Sequence, residues 1–437
     1  MFRAHRSRST VLVSIACLTL AGLAGCGDPP AAPKPTPTVA QKDVSLPPDP
    51  TPIKIVWDDW KSVSAGGDHS CGVTVGGKVY CWGSNSVGQL GSSGGKALRP
   101  RAIDLSSTPG GPLTFISVSA GEDHTCGVTG WSAGPIYCWG NGIGATPTAL
   151  PLGLTFTQVS VGTFEACAIT PLGYAYCWTL GGSPSPVSTA PLSLTFTSIS
   201  VGYDHKCAIA KYTAKAYCWG ASDFGQLGVN SNWFKNQPTE VVSPIGNGRF
   251  QALAWYSVDA GKQFSCGIQR PVLFGLARGA NCWGKGDPGQ IGNGLTLGSY
   301  VPEAVFDPPG SALDTVSAGG LHACAIELTN NNHGDAWCWG DNHNSQLGDP
   351  AAPTAVSVPN RVSGLYVYKQ ISAGRDHTCA LSQYKRADNV AGATPASAVI
   401  QCWGLNSHGQ LGNTLKTSSS TPVTAIHPQQ KYVIIVP

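Results

Sequence analysis

Seven times along the chain a close pair of cysteines brackets a short stretch, and each time the second cysteine is followed by tryptophan. The pairs are Cys71 with Cys81, Cys126 with Cys138, Cys167 with Cys177, Cys207 with Cys218, Cys266 with Cys282, Cys324 with Cys338, and Cys379 with Cys402. The tryptophans are Trp82, Trp139, Trp178, Trp219, Trp283, Trp339 and Trp403. A run ending in glycine precedes each first cysteine, as in Ser64-Ala65-Gly66 and Ser372-Ala373-Gly374. One unit written so often cannot bury its apolar face alone, so its copies must stack around a shared core.

In the first unit, Trp60 to Ala65 alternates and is β-prone, and Gly66-Gly67 permits a tight reversal. His69 to Val75 is a second strand, Gly76-Gly77 a hairpin turn, and Lys78 to Trp82 the return. That register sets Cys71 opposite Cys81, where facing Cα atoms lie about 4.5 Å apart, within disulfide reach. Leu172-Gly173 does the same for Cys167 and Cys177, while the pairs Cys266 with Cys282 and Cys379 with Cys402 carry longer surface excursions. A glycine-rich loop then leads to a fourth strand: Gly88-Gln89-Leu90-Gly91, Gly225-Gln226-Leu227-Gly228, Gly289-Gln290-Ile291-Gly292, Ser345-Gln346-Leu347-Gly348 and Gly409-Gln410-Leu411-Gly412. First cysteines recur every 40 to 59 residues with no helical periodicity. The pattern predicts an all-β, seven-bladed β-propeller, closed so that no long sheet edge is left exposed.

The run Ala-Gly-x-x-His-x-Cys followed by Cys-Trp-Gly-x-Asn-x-x-Gly-Gln-Leu-Gly resembles the repeats of the regulator of chromosome condensation. It is most complete at Ala65 to Cys71 with Cys81 to Gly91, and at Ala373 to Cys379 with Cys402 to Gly412. The resemblance covers about residues 57 to 437 and implies a seven-bladed propeller. In that family the eukaryotic founder binds histones and DNA and acts on a small GTPase, and bacterial relatives include a secreted β-lactamase inhibitor. Fold does not fix function, so none of those activities carries over.

The amino-terminal segment is of another kind. Arg3, Arg6 and Arg8 precede an apolar run from Val11 to Leu20 that is short for a membrane span. Leu23-Ala24-Gly25-Cys26 resembles the lipobox of bacterial lipoproteins. The resemblance implies cleavage before Cys26, acyl chains on that cysteine and an anchored product. Gly27 after it points to the outer membrane of a Gram-negative bacterium. The expected organisation is therefore a signal peptide over 1–25, a lipidated cysteine with a proline-rich tether over 26–52, and the propeller over 53–437. Export leaves fourteen of the sixteen cysteines for seven disulfides, each closed within its own unit.

With Arg3, Arg6 and Arg8 set aside, 24 basic residues balance 24 acidic ones, and no basic stripe follows. No nucleic-acid partner, metal or cofactor is expected. The recurring Asp-His pairs at Asp68-His69, Asp123-His124, Asp204-His205 and Asp376-His377 suggest general bases. Neighbours in a strand point to opposite faces, however, and a catalytic group is needed once. These histidines are read as buried hydrogen-bonders tying blade to blade, with Glu165 and Phe264 in the same slot of the third and fifth units.

Irregularity is the better guide to function. The second and third units lose the Gly-Gln-Leu-Gly loop, having Asn141-Gly142-Ile143-Gly144 and Thr179-Leu180-Gly181-Gly182 instead. The fourth gains residues Asn230 to Ala254, and insertions follow at Gln269 to Gly279, Glu327 to Gly334 and Gln383 to Ser397. Loops on a rigid scaffold are where binding concentrates. The expected function is a membrane-anchored, extracytoplasmic protein-binding or scaffold module, without catalytic activity. Its partner would be an envelope or extracellular protein, with Trp233 and Phe234 as candidate anchors. The alternative, a hydrolase or lyase acting on an envelope or extracellular substrate, would need groups such as Asp287, His343 and His408 to converge on one mouth.

Overall fold

The computed structural model describes residues 59–428 apart from 107, 109–112, 152, 245–248, 272–278, 309–311, 328–333 and 385–397. The signal segment, Cys26 and the tether lie outside the described residues, as do most of the insertions after Gln269, Glu327 and Gln383.

Seven four-stranded antiparallel sheets follow one another, each made from consecutive strands. The first blade runs outward through β1 (Trp60–Ala65), β2 (His69–Thr74), β3 (Val79–Gly83) and β4 (Ala97–Ala102). The innermost strands of the later blades are Phe115–Ala120, Gln158–Val161, Phe196–Val201, Trp255–Ala260, Leu313–Ala318 and Tyr366–Ala373.

In every blade the two cysteines face each other across the second and third strands. Each of the expected pairs is a disulfide inside one blade. Cys71 is bonded to Cys81, Cys126 to Cys138, Cys167 to Cys177 and Cys207 to Cys218. Cys266 is bonded to Cys282, Cys324 to Cys338 and Cys379 to Cys402. The Cα separations are 4.0 to 4.1 Å throughout, shorter than the 4.5 Å or so of an unbridged facing pair. The longer excursions before Cys282, Cys338 and Cys402 therefore leave the hairpin register untouched. Each bridge closes a short loop, worth about 2–3 kcal/mol on the chain-entropy account.

The core lies between blades. A large side chain near the start of each innermost strand is almost wholly buried: Trp60, Phe115, Phe156, Phe196, Trp255, Leu313 and Tyr368. Most of them meet the tryptophan of their own blade, for example Phe115–Trp139 at 6.3 Å and Trp255–Trp283 at 5.5 Å between ring centres. Edge-on and tilted pairs of this kind contribute about 0.5–1.5 kcal/mol beyond the area they bury.

Two rings of hydrogen bonds draw the blades together at the axis. In the first, residue 64, 119, 160, 200, 259, 317 or 372 accepts from the main-chain N–H of the next blade's innermost strand. Six of these acceptors are serines and the seventh is Asp259, which also takes the hydroxyl protons of Ser200 and Ser317. In the second, the N–H of Gly67, Glu122, Thr163, Tyr203, Lys262, Gly320 and Arg375 donates to the carbonyl of the next blade's glycine, at 3.0 to 3.3 Å. The glycine after each Ala or Val is thus required for proximity, not for the reversal that the sequence suggests. A Cβ on Gly121 or Gly162 would run into the neighbouring glycine carbonyl, well inside 3.0 Å, and neither residue has positive φ.

The outer edges are guarded too. Pro100, Pro147, Pro184, Pro238, Pro302, Pro359 and Pro422 each stand one residue before the partner of the blade's second cysteine. Proline lacks the N–H an incoming strand would need, so these edges resist sheet extension.

Candidate interaction face

The reversals after the innermost strands and the glycine-rich loops meet at one end of the propeller, as His408 beside Asp68 at 3.8 Å shows. Each glycine-rich loop wedges against the next blade. In four of them the Gln side chain accepts a main-chain N–H of its own turn, as Gln89 does from Val87 and Gln346 from Asn344, while Gln290 donates to the Asp287 carbonyl. In each the Gln carbonyl accepts the indole N–H of the following blade. Trp139 donates to Gln89, Trp283 to Gln226, Trp339 to Gln290, Trp403 to Gln346 and Trp82 to Gln410, at 2.8 to 3.0 Å. The following Leu or Ile is fully buried in all five loops.

The histidine slot sits beneath this cap. His69 Nε2 lies 2.8 Å from Thr125 Oγ1 on the second blade, and Thr125 donates its one proton to Gln89 O at 3.0 Å. The imidazole must therefore be the donor, through Nε2–H. His205 with Ser265, His322 with Thr378 and His377 with Ser70 repeat the arrangement. Burial pushes His69 and His377 down to about 3 and His322 to about 4, so all three are neutral at ordinary pH. His69, His205, His322 and His377 are thus joinery, each ring bonding the next blade, while His124 of the remaining Asp-His pair makes no such bond.

The remaining joints change both partners at once. Between the fifth and sixth blades Phe264 faces Ala323, apolar on apolar. Between the third and fourth, Glu165 is ion-paired with Lys206. Between the second and third the exchange is incomplete. Ala166 offers no hydroxyl, and both ring nitrogens of His124 are buried without a partner.

The joints after the second and third blades are also those that lost the loop. Among the described residues Trp178 and Trp219 receive no carbonyl cap and keep 6% and 5% exposure, against 0% for the five capped tryptophans. Around them the face turns aromatic. Phe164, 52% exposed, meets Tyr203 edge-on at 5.1 Å, and Lys262 sits over the Tyr203 ring at 5.7 Å. Phe224 is 40% exposed beneath Lys285. Trp233 and Phe234, on the loop before strand Lys235–Glu240, are 76% and 68% exposed. The sequence pattern singles out this last pair but not Phe164 and Tyr203, whose signal is their place just after the throat glycines.

Across the mouth the chemistry is ionic. Arg375 bonds Asp68 at 2.5 Å, Asp376 at 3.0 Å, and Glu122. Burial alone would lower its pKa, but these carboxylates carry it above the ordinary value. The throat encloses about 340 Å³, lined by residues that include Ala65, Val161, Val201, Lys262 and Arg375. Of the groups an enzyme reading would need, His343 bonds Asp341 in its own loop and His408 reaches Ser407 and Asp68. The carbonyl of Asp287 accepts from Gln290 in its own loop. No cluster of metal-ligating side chains occurs among the described residues.

Family models described as the regulator of chromosome condensation (RCC1) repeat match residues 60–89, and again 76–128, 214–268 and 333–381. The human E3 ubiquitin-protein ligase HERC2 is 27% identical over 73% of this chain, which spans 6% of that ligase. The Ultraviolet-B receptor UVR8 of Arabidopsis thaliana is 24% identical over 80% of this chain and 78% of its own. Among solved structures, human WBSCR16 superposes with a TM-score of 0.62 at 18% identity, covering 75% of this chain and 87% of that one. Prp20p of Saccharomyces cerevisiae, described with its binding to Gsp1p and histones, gives 0.59 at 19% identity, covering 72% and 80%.

Proposed function

We propose, from the premise that the chain belongs to the regulator of chromosome condensation repeat family, that it is an extracytoplasmic protein-binding module whose contact surface is the loop end of its third to fifth blades. The observation that carries this reading is local. Where two caps are missing, the face exposes Phe164 against Tyr203 and Lys262, and Trp233 with Phe234 on the fourth blade's loop add to the exposed aromatic surface, whereas architecture accounts for the capped joints. Aromatic anchors dominate small epitopes, and a rigid ring holds them without an ordering cost. Seven disulfides imply an oxidising compartment.

The finer reading has the module anchored by acyl chains on Cys26, on the outer membrane of a Gram-negative cell, and acting by binding rather than catalysis. Several acyl chains anchor stably where one does not. Cys26→Ser should give unprocessed or soluble protein; membrane association and precursor cleavage that both persist would sink the anchor. For the binding face, the Trp233→Ala/Phe234→Ala double variant should lose the protein captured from envelope extract by wild type. Undiminished capture by the folded variant would remove the assignment.

A further inference from the structure

The opposite end of the propeller, where the second and third strands turn, carries a different chemistry. Hairpin tips of four successive blades project apolar side chains into solvent: Val75, Trp131, Leu172 with Tyr174, and Tyr212, at 70, 95, 69, 54 and 86% exposure. Leu192, leaving the third blade at the same end, is 58% exposed. Main-chain bonds lace each tip to the blade that follows. Phe115 N donates to Gly77 O, Phe156 N to Gly134 O, Phe196 N to Gly173 O and Trp255 N to Ala214 O, at 2.7 to 2.9 Å. The tips are therefore fixed at a common level along an arc of the ring.

The turns themselves carry positive charge only, with acids beside them. The turns at 75–78, 130–134, 170–174 and 211–215 hold Lys78, Lys211 and Lys215 and no Asp or Glu. Glu240 pairs with Lys215 at 2.8 Å, and Asp59 and Asp104 flank the first hairpin. A protein epitope gathers its aromatic anchors into one packed centre. Here they are spread along the blades, each at the tip of a turn, with lysines in the first and fourth turns. Exposed tryptophan and tyrosine flanked by lysine is the composition of a surface at headgroup depth, where amphipathic rings sit in the interface and ammonium groups meet anionic lipid.

We propose that the hairpin end of the first four blades rests on a phospholipid surface bearing anionic headgroups. The inference stands on these tips and does not require the acyl chains on Cys26. It leaves the aromatic loop end facing away from the bilayer.

The test compares two tryptophans of one molecule. Full-length protein containing 5-fluorotryptophan is mixed with phosphatidylcholine–phosphatidylglycerol vesicles, with and without a nitroxide-headgroup lipid. Trp131→Phe and Trp233→Phe identify the two resonances. The Trp131 signal should broaden several-fold more than that of Trp233, though both are exposed. A Leu172→Ser/Tyr212→Ser variant with unchanged circular dichroism retains Trp131 as reporter. It should lose most of that broadening and, with Cys26→Ser to remove acylation, partition about tenfold less into the vesicles. Equal or greater broadening of Trp233, no broadening of either, or broadening of Trp131 that the double variant leaves intact would overturn the proposal. So would capture of an envelope protein through these tips by a molecule that ignores the vesicles.

Discussion

The joint between the first and second blades and the joint between the second and third are neighbours built to different standards. In the first, His69 Nε2, Thr125, the Gln89 carbonyl and Trp139 are bonded together under a buried leucine, and His69 Nδ1 and the Gln89 amide nitrogen are left without a partner. In the second, His124 is buried with both nitrogens unpaired, and Trp178 has no cap. An unpaired buried polar group costs about 1–3 kcal/mol, so a ring with no bond at Nε2, where His69 has one, gives up stability at this joint. The loss coincides with the part of the face that exposes aromatic surface. The ring can tolerate it because the throat bonds continue through both joints unchanged.

The largest effect should come from the throat itself. Gly121→Ala and Gly162→Ala each drive a Cβ into a main-chain carbonyl, one at the second–third joint and one at the third–fourth. Both should cost about 3–4 kcal/mol in denaturant unfolding of the oxidised protein. A tolerated Gly162→Ala would mean that the open joints are loose down to the axis.

Next comes acid. The depressed histidines sit below their unfolded value of 6.5, so their neutral forms contribute stability that is present above that pH. It is lost as pH falls from about 6.5 towards 3 to 4. Unfolding midpoints recorded across that window should fall steadily. His124→Phe copies the Phe264–Ala323 solution and should gain about 1 kcal/mol while reducing the acid slope, whereas His69→Phe should destabilise. Equal outcomes for the two would erase the contrast between joints.

A smaller difference should separate the tryptophans. Trp339→Phe strands the Gln290 carbonyl, so it should cost about 1 kcal/mol more than Trp219→Phe, which breaks no indole bond. Thermal midpoints of the two variants measure this directly. Smallest of all, Trp233→Ala/Phe234→Ala should shift stability by less than about 0.5 kcal/mol, since both side chains are mostly in solvent.

Much of this is legible because the repeat is strict. Cys-Trp seven times over gives the blade number, and Gly76-Gly77 sets the hairpin register. The histidine pairing becomes visible once the residue after each histidine slot is read against the preceding unit. Thr125 answers His69, Lys206 answers Glu165, and Ala323 answers Phe264. Other features depend on closure. Ser70 meets His377, and Arg375 meets Asp68, 307 positions away in each case. No local pattern encodes that contact. The throat glycines stand out in the sequence, but a carbonyl approaching from the next blade leaves no trace in the residues beside them.

The way the ring is closed has a consequence for the chain that threads it. Among the described residues each blade is made from four consecutive strands, and none is borrowed from the far end of the chain. The last blade meets the first through Ser372 and Ala65, Arg375 and Gly66, and Gln410 and Trp82, the same bonds used at other joints. Apart from the ion pairs of Arg375 with Asp68 and Glu122, the seam is built like the other spokes. A circular permutant opened at the connection between the fifth and sixth blades, with the present seam bridged, keeps every sheet whole and should close into the same wheel.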